Sequence, residues 1–362
     1  MTSNHAGAQA ESPRKITVLM SFHFRNGDVN PYLRQLLNCL SPSVEVRQFS
    51  WRVAITGDFD VLHVHWPEQI YRSRLSPITY MKMLALRLLL RRIQNSNRAI
   101  VRTLHNVEPH ERGSWLEQSL LHRIDASTDW WITINESSSV PNGSQSSLIR
   151  HGDYREWFAE HQIGGEEPIP HRILFFGLLR PYKGLEDLVA AFKGVTTSEA
   201  SLRIVGAPID PELGNFVVQA SHSDNRVTQL LEYVSDSVLT HEILSAELVV
   251  LPYRKMHNSG AALLALSLGR PVLVVRNDAN EKLAAEVGHN WVYLFDELTS
   301  DEIEIALSTA KAIAAGDRPD LGLRTWEQAS IHHRAAYAMA LASKRETSAR
   351  ATLRATLIKT KS

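Results

Sequence analysis

Short apolar runs alternate with longer amphipathic stretches along most of the chain. In the first half, the runs occupy residues 16–22, 44–49, 61–65, 99–104 and 130–134. In the second half, they occupy residues 173–176, 201–205, 227–231, 248–251, 271–275 and 291–294. Such runs are typical of strands buried on both faces of a parallel sheet, and the stretches between them have helical period and length. The pattern predicts an α/β protein with two Rossmann-like, doubly wound sheets.

Two segments rich in Pro, Gly and polar residues, 141–147 and 164–170, separate the two sets of strands. This composition is typical of linkers, so the segments bracket the predicted hinge. We expect a flexible tail at residues 1–14, an N-terminal domain at 15–160, a C-terminal domain at 171–325 and a basic tail at 343–362. Ligands of doubly wound sheets bind beyond the carboxyl ends of the strands, so the cleft between two facing domains is the expected site.

The amino-acid composition limits the binding partners and the cellular compartment that we expect for the protein. The 362 residues include 39 Lys and Arg and 39 Asp and Glu, so no net positive charge favours a nucleic-acid partner. Cys39 is the only cysteine, which excludes an intrachain disulfide and a cysteine-based zinc site and is typical of a reducing compartment. Residues 1–14 lack the apolar core of a secretion signal, and no apolar run reaches the roughly 20 residues that cross a bilayer. We therefore expect a cytoplasmic protein.

The first candidate site lies at a strand-to-helix turn in the second half. An apolar run breaks at Gly177, and a helical pattern begins after Gly184, with Arg180 and Lys183 between them. Glycines let the backbone approach a ligand, a helix N-terminus offers unpaired N–H groups, and two cations favour an anion. The turn therefore predicts a phosphate site. The alternative is an ordinary turn with solvated basic residues.

A second strand-to-helix turn has the same organisation. Tyr253 begins a loop after an apolar run, and Asn258, Ser259 and Gly260 precede an almost wholly apolar helix at residues 261–268. Such a helix must be buried, which directs its N-terminal N–H groups and partial positive charge toward the expected cleft. Two anion-binding helix starts at one cleft favour a diphosphate over a single carboxylate.

Candidate acids and bases follow the predicted strands of the first half. Asp28 follows the first strand and Glu68 the third, while His105 and Glu108 follow the fourth. Loops at strand ends concentrate binding groups, and titratable groups crowded in a cleft have displaced pKa values suited to acid–base chemistry. His105 ranks first because it is the first polar side chain beyond its strand. His151, next to the predicted hinge, either contacts a ligand or shapes the crossing between domains.

Two pairs of residues have metal-binding alternatives. Asp58 and Asp60 resemble the paired carboxylates that hold a divalent ion beside a sugar diphosphate. They precede a strand, at the end facing away from the cleft, which favours a loop role. His63 and His65 share one face of a strand, and with no third ligand nearby they favour core histidines over a zinc site. We expect no bound metal.

Two basic segments have a membrane alternative. Residues 81–94 are nearly continuous Met and Leu with four Lys and Arg residues, which predicts a helix covering the first sheet. Excess apolar surface with a basic fringe also fits contact with an anionic membrane, and the two roles are compatible. The tail at 343–362 is expected to be either a frayed terminus or a helix that seeks a membrane surface.

Several of these stretches resemble GT-B glycosyltransferases. Residues 176–192 resemble the diphosphate loop of family 4 and its relatives, residues 202–206 the strand before the nucleotide pocket, and residues 251–272 the donor loop and helix. Trp326, His332 and Tyr337 resemble the helix that closes that fold. The resemblance implies two Rossmann-like domains facing across a cleft, with the segment 326–342 returning to the N-terminal domain.

The resemblance also implies roles for the candidate residues. Arg180 and Lys183 would neutralise the diphosphate leaving group, and His105 would approach the donor sugar or the acceptor. The C-terminal domain would hold a nucleotide-sugar donor as substrate, without a separate cofactor, and the N-terminal domain would choose the acceptor. The donor-binding residues that follow are Gly177, Arg180, Lys183, Tyr253, Asn258, Ser259, Gly260 and His151.

One departure from family 4 concerns the mechanism. Retaining members carry two glutamates in a Glu-x7-Glu pattern around the donor loop, whereas the approximate matching positions here are Met256 and Leu264. The blocks at residues 63–68 and 105–110 look more like those of bacterial exopolysaccharide mannosyltransferases, which use GDP-mannose and invert the anomeric centre. This likeness implies transfer of a hexose, mannose, to a glycan or lipid-linked acceptor by a peripheral protein at the inner membrane face.

Other functions share the same architecture. A retaining transferase that uses a UDP-sugar is one alternative. A nucleotide-sugar epimerase is another, and it would need several acid–base groups around the sugar and no acceptor surface. The missing glutamates also fit a nucleotide-sugar-binding protein without activity. Slow hydrolysis of the donor by purified protein would argue against the inactive alternative.

Overall fold

The computed structural model describes residues 14–24, 30–42, 44–73, 76–105, 114–161, 167–254, 260–313 and 316–359. Within these residues, the strands form two parallel sheets of six strands each. Each sheet is built from strands that alternate with helices along the chain. The predicted α/β class and the two doubly wound sheets are confirmed.

The first sheet has the strand order β2-β1-β3-β4-β5-β6. Alternate residues of β1 enter different cores, with Val18 and Met20 on one face and Leu19 on the other. Both faces of the sheet are therefore covered, as the continuous apolar runs predict. The strands are β1 Thr17–Met20, β2 Glu45–Arg47, β3 Val61–Val64, β4 Ala99–Leu104, β5 Trp130–Thr133 and β6 Ser146–Leu148.

The second sheet has the strand order β12-β11-β10-β7-β8-β9. Its central strands, β7 and β10, pair in register at Leu174 and Val249, and both residues are fully buried. The loops that follow these two strands therefore leave the sheet side by side. The strands are β7 Arg172–Phe176, β8 Ser201–Val205, β9 Val227–Leu230, β10 Leu248–Leu251, β11 Val272–Val275 and β12 Val292–Phe295.

Several helices begin at a residue whose side chain caps them, including the first helix at Asn30 and the fifth at Ser114. Asn30 accepts a hydrogen bond from the Leu33 backbone N–H at 3.3 Å, and Pro31 occupies the first helical position, as expected for N-terminal capping. The helices are α1 Pro31–Leu40, α2 Trp51–Thr56, α3 Pro67–Tyr71, α4 Ser76–Gln94, α5 Trp115–Ala126, α6 Arg155–Phe158, α7 Leu185–Lys193, α8 Pro211–Ser223, α9 Asp236–Leu244, α10 Gly260–Ser267, α11 Asp278–Val287, α12 Ser300–Ala310 and α13 Trp326–Lys359.

The last helix, α13, continues without a break past Ala342 to Lys359. Of the two alternatives for the tail, this favours the helix over the frayed terminus. The sequence analysis named His332 in this helix, but His332 is exposed, whereas His333 is buried beside His63 of the N-terminal domain. The helical period places Trp326, His333 and Tyr337 on one face, which packs on the first sheet.

The paired aspartates before β3 have structural roles. Asp60 accepts a hydrogen bond from the Thr17 backbone N–H at 2.8 Å and pairs with Arg14 at 3.1 Å. Asp58 pairs with Arg98 at 3.2 Å. Both carboxylates therefore hold the loop that leads into the strand.

Candidate active site

The turn after β7 packs closely against the segment that follows β10. A short 3-10 helix, Pro181–Lys183, ends at Gly184, which has φ of +66°. A Cβ on Gly184 would lie 2.2 Å from the Pro252 carbonyl oxygen, so only glycine permits this approach. The Arg254 backbone N–H also donates to the Tyr182 carbonyl at 3.0 Å. The two predicted anion-binding turns are therefore adjacent.

Lys183 is a buried cation in this turn, with 9% of its surface exposed. Its Nζ lies 4.9 Å from the centroid of the Tyr253 ring, and a Cβ on Gly177 would lie 3.2 Å from the same nitrogen. Burial, and secondarily the charge of Arg180, lowers the pKa of Lys183 to about 8. Among the described residues, no carboxylate lies within ion-pair distance of Lys183 or the half-buried Arg180. This arrangement can accept an anion at the end of β7.

Two further features of this half would face a ligand at the turn. The Tyr253 side chain is buried, and its hydroxyl has no hydrogen-bond partner in the described part of the chain. Helix α10 begins at Gly260, and its residues 262–267 are buried, as predicted for the apolar helix. Asn258 and Ser259 lie outside the described residues, so their predicted contacts with a donor stay predictions.

In the N-terminal half, His105 lies at the end of β4 in a set of aromatic rings. Its Nε2 is 2.9 Å from Nδ1 of His65, and its ring stacks on Trp66 with centroids 4.1 Å apart. Burial lowers the pKa of His105 to about 3, so the imidazole is neutral near pH 7. His65 is also buried, and its Nε2 has no hydrogen-bond partner among the residues that the structure describes. One ring nitrogen of this pair donates to the other, and the tautomers of the two neutral imidazoles decide which one.

A cavity of about 490 Å³ opens beside His105. Glu68, half-buried in the first turn of α3, lines it, and its carboxylate has no hydrogen-bond or ion-pair partner within the described ranges. Trp66 and Pro141 contribute apolar lining. The cavity therefore combines an aromatic wall with a free carboxylate, a combination suited to a sugar. The other two predicted acid–base residues, Asp28 and Glu108, lie outside the described residues.

A run of aromatic contacts joins this cavity to the second half. His105 lies 5.3 Å from Tyr32, Tyr32 lies 4.5 Å from His151, and His151 lies 5.5 Å from Tyr154, all between ring centroids. The Tyr154 hydroxyl would lie 3.3 Å from a Cβ on Gly260, at the start of α10. The two halves of the candidate site therefore face each other across this line of rings.

His151 itself shapes the crossing between the halves. Its Nδ1 lies 2.8 Å from the Gly152 carbonyl oxygen. The guanidinium of Arg324 donates a hydrogen bond to the backbone carbonyl oxygen of His151 at 3.4 Å. Burial lowers its pKa to about 4. Of the two roles predicted for His151, these contacts support the structural one.

The buried partners of His63 were missed by the sequence analysis. Its Nδ1 is 2.8 Å from the Tyr337 hydroxyl and its Nε2 is 2.8 Å from the Thr103 hydroxyl, so this core histidine ties α13 to β3 and β4. The available signal was the apolar period of α13, in which His333 and Tyr337 are four residues apart. The role of His63 as a core histidine agrees with the prediction.

The family model described as glycosyl transferases group 1 matches residues 170–310. A GDP-mannose:glycolipid 4-beta-D-mannosyltransferase of Xanthomonas campestris pv. campestris is 43% identical over 333 residues, covering 92% of this chain and 94% of that protein. Among solved structures, the sucrose-phosphate synthase of Thermosynechococcus elongatus matches with a TM-score of 0.57 and 15% identity, covering 96% of this chain and 100% of that chain. HepE of Anabaena in complex with UDP and glucose matches with a TM-score of 0.54 and 13% identity, covering 94% and 100%.

Proposed function

Because the chain belongs to the same glycosyltransferase family as this mannosyltransferase, we propose that it transfers a mannosyl group from GDP-mannose to a glycolipid acceptor. The observation that carries the proposal is the 43% identity to a mannosyltransferase over nearly the whole of both chains. The GT-B architecture supports it, because one half carries a turn that can accept an anion and the other half carries a cavity lined by Glu68, whose carboxylate has no partner among the described residues.

We propose that the diphosphate of the donor binds at the adjacent turns of the C-terminal half. Arg180 and Lys183 would neutralise the charge that develops on the leaving GDP, and the N-terminus of α10 would add backbone N–H groups. Their lack of carboxylate partners among the described residues supports this role, since a buried lysine without a counter-ion lowers stability. In this proposal the sugar nucleotide is a substrate, and no separate cofactor takes part.

The acceptor sugar would enter the cavity of the N-terminal half. The mannose of GDP-mannose is α-linked, and the relative is named for a β-linked product, so the reaction proposed for this chain inverts the anomeric carbon. Inversion requires the acceptor hydroxyl to attack from the face opposite the diphosphate while a base removes its proton. The cavity of the N-terminal half is lined by Glu68 and His105, which are candidates for that base.

Among the described candidates, we propose Glu68 as the base. Its carboxylate lines the cavity and lacks a partner in the described part of the chain. His105 is less suited, because its pKa of about 3 makes it a weak proton acceptor and its Nε2 is already hydrogen-bonded to His65 Nδ1. His105 would instead position the acceptor together with Trp66. Asp28 and Glu108 stay candidates for the same role.

The test is a transfer assay with purified protein, a glycolipid whose terminal sugar has a free 4-hydroxyl, and either GDP-mannose or UDP-glucose as donor. We expect a mannosylated lipid and free GDP only when GDP-mannose and acceptor are both present. Glu68→Gln should lower kcat by about 10²- to 10⁴-fold with little change in GDP-mannose affinity. The matched control is Gln69→Ala, at an exposed neighbouring position, which should retain activity.

Different outcomes contradict different parts of the proposal. Preferred transfer from UDP-glucose would overturn the donor assignment. Conversion of GDP-mannose to another sugar nucleotide without acceptor would indicate an epimerase instead. Full activity of Glu68→Gln would leave the function intact and move the base to Asp28 or Glu108.

We also propose that the protein works at the inner face of a membrane, where a glycolipid acceptor is held by its lipid. Within the described ranges, no helix has the length and apolar character needed to span a bilayer. Contact would therefore be peripheral for this part of the chain.

A further inference from the structure

We propose that the exposed face of α4 is the surface that docks on an anionic lipid bilayer. The inference rests on the proposed function, because a glycolipid acceptor requires the enzyme to work beside a membrane. Apolar excess, charge and position relative to the cavity each support it.

The apolar excess of α4 is not needed for the fold. The helix already buries one face, formed by Met83, Leu86, Leu89, Leu90 and Ile93, in the core of the first half. On the opposite face Met81, Leu84 and Leu88 are 69%, 59% and 56% exposed. These residues are spaced at i, i+3 and i+7, so they form one stripe along the helix. Tyr80 and Ile78 extend the stripe toward the start of the helix, with 56% and 37% exposure.

The charges beside the stripe complement an anionic surface. The helix contains no Asp or Glu. The helical period places Arg87 and Arg91 along one edge of the stripe, whereas the half-buried Lys82 falls on the side of the helix that faces the core. Within the described residues, none of these three cations has an ion-pair or hydrogen-bond partner. Arg92 is excluded from this set because its guanidinium donates to the Ala54 and Gly57 carbonyl oxygens at 2.7 and 3.2 Å.

An apolar stripe with a basic edge is typical of a helix that lies in a membrane interface. The apolar side chains enter the boundary between headgroups and acyl chains, while the long basic side chains reach lipid phosphates. Each Lys or Arg near an anionic surface strengthens binding by about fivefold, which is about 1 kcal/mol. A helix whose exposed face were only solvated would not need apolar side chains at every turn of that face.

Helix α4 packs against the two helices, α3 and α5, that line the proposed acceptor cavity. α4 follows α3, which carries Glu68, and both helices pack against α5. Arg72, between α3 and α4, pairs with Glu117 of α5 at 2.9 Å. Trp115, at the start of α5, is 76% exposed, and an exposed tryptophan is typical of membrane interfaces. Docking through α4 would therefore hold the cavity close to the headgroups, where the sugar of a glycolipid is found.

The test is co-sedimentation of the full-length protein with acceptor-free vesicles, made either of phosphatidylglycerol with phosphatidylcholine or of phosphatidylcholine alone. We expect wild-type protein to bind the anionic vesicles more tightly. Leu84→Gln/Leu88→Gln should weaken binding to anionic vesicles by at least about tenfold. Arg87→Gln/Arg91→Gln should weaken it by about 25-fold and remove most of the preference for anionic lipid.

Matched controls lie in the second half. Ile305 on α12 is 60% exposed, and Lys193 on α7 is exposed, so Ile305→Gln and Lys193→Gln remove comparable groups far from α4. Both should bind vesicles as wild type does. Thermal unfolding of all variants separates lost docking from lost folding, since the substituted side chains are exposed, apart from the half-buried Arg87, and should change stability little.

Unchanged vesicle binding by both α4 double variants would overturn the proposal. A change from dimer to monomer in size-exclusion chromatography with light scattering, without a change in vesicle binding, would also overturn it and assign the stripe to a second copy of the chain. Transfer to a detergent-dispersed acceptor is measured in parallel, and the α4 variants should keep wild-type rates there. If wild-type protein shows no transfer at all, the proposed function fails, whereas the vesicle assay still tests docking.

Discussion

At the scale of single residues, the informative feature is a buried positive charge that does not stabilise the fold. Lys183 is buried, and in the described part of the chain no carboxylate pairs with it. The sequence predicted the cation and its turn from the glycines on either side. It could not predict the burial, because the Tyr253 ring that covers Lys183 comes from a strand-end loop 70 residues later. Buried ionisable groups with displaced pKa values are common at functional sites.

Replacing Lys183 with methionine should therefore stabilise the ligand-free protein. The folded pKa of about 8 lies below the ordinary value of 10.5, so the folded state holds its proton less firmly than the unfolded chain. The resulting penalty is fully present below pH 8 and is relieved as pH rises toward 10.5. Lys183→Met removes it, and the free energy of unfolding at pH 7 should rise by up to about 3 kcal/mol.

The same substitution should weaken binding of GDP. We expect the affinity of Lys183→Met for GDP, measured by calorimetry, to fall by at least about tenfold, since one diphosphate contact is lost. In wild-type protein, GDP affinity should itself decline above pH 8 as Lys183 loses its proton. The exposed Lys193, on the helix that follows, provides the control, and Lys193→Met should change neither stability nor affinity. Loss of stability with unchanged GDP affinity would show that Lys183 is a structural residue.

At the scale of elements, the turns at strand ends were predictable as local features and not as partners. The apolar run, the glycines and the start of α7 after Gly184 follow from the sequence alone. Contact between the turn after β7 and the segment after β10 depends on the strand order, which places these strands side by side although β8 and β9 lie between them in the chain. Sequence periodicity carries no information about that order.

Gly184→Ala tests whether this contact holds the site together. The new Cβ would meet the Pro252 carbonyl oxygen at 2.2 Å while the backbone stays at φ of +66°. Backbone strain and displacement of the turn together should cost about 3 kcal/mol of unfolding free energy and weaken GDP binding. Gly143→Ala is the control, because its φ is +80° and no atom lies within 4 Å of the new Cβ. That variant should lose only about 1 kcal/mol. Equal effects in a urea titration would show that strain alone, without the contact, explains the result.

At the scale of the whole molecule, the last helix connects residues that are far apart in the chain. The hydrogen bond between His63 and Tyr337 spans 274 residues. The sequence predicted that the segment beginning at Trp326 returns to the first domain, but it indicated His332 instead of His333. The period of Trp326, Ala329, His333 and Tyr337 contained the correct face, whereas single-residue likeness did not.

This helix brings His333 into a group of buried histidines with His63, His65, His105 and His151. Burial lowers the pKa of each below the ordinary value of 6.5, to about 3 for His105 and about 4 for His151 and His333. The cause is the same for all five, since a low-dielectric interior disfavours the charged imidazolium. All five histidines are therefore neutral in the folded protein near pH 7.

Acid should consequently unfold the protein under mild conditions. Below pH 6.5, the unfolded chain binds protons that the folded protein excludes, so the free energy of unfolding falls with decreasing pH until the folded pKa values are reached. Each buried histidine contributes about 1.4 kcal/mol per pH unit between the ordinary pKa of 6.5 and its own lower folded pKa, and the contributions of the five histidines add. Urea unfolding at a series of pH values from about 7 to 5 measures the slope of the unfolding free energy with pH.

His333→Gln should reduce this slope by about 1.4 kcal/mol per pH unit, whereas His332→Gln, at the exposed neighbouring position, should leave the slope unchanged. Parallel slopes for wild type and His333→Gln would mean that His333 takes up its proton equally in the folded and unfolded states.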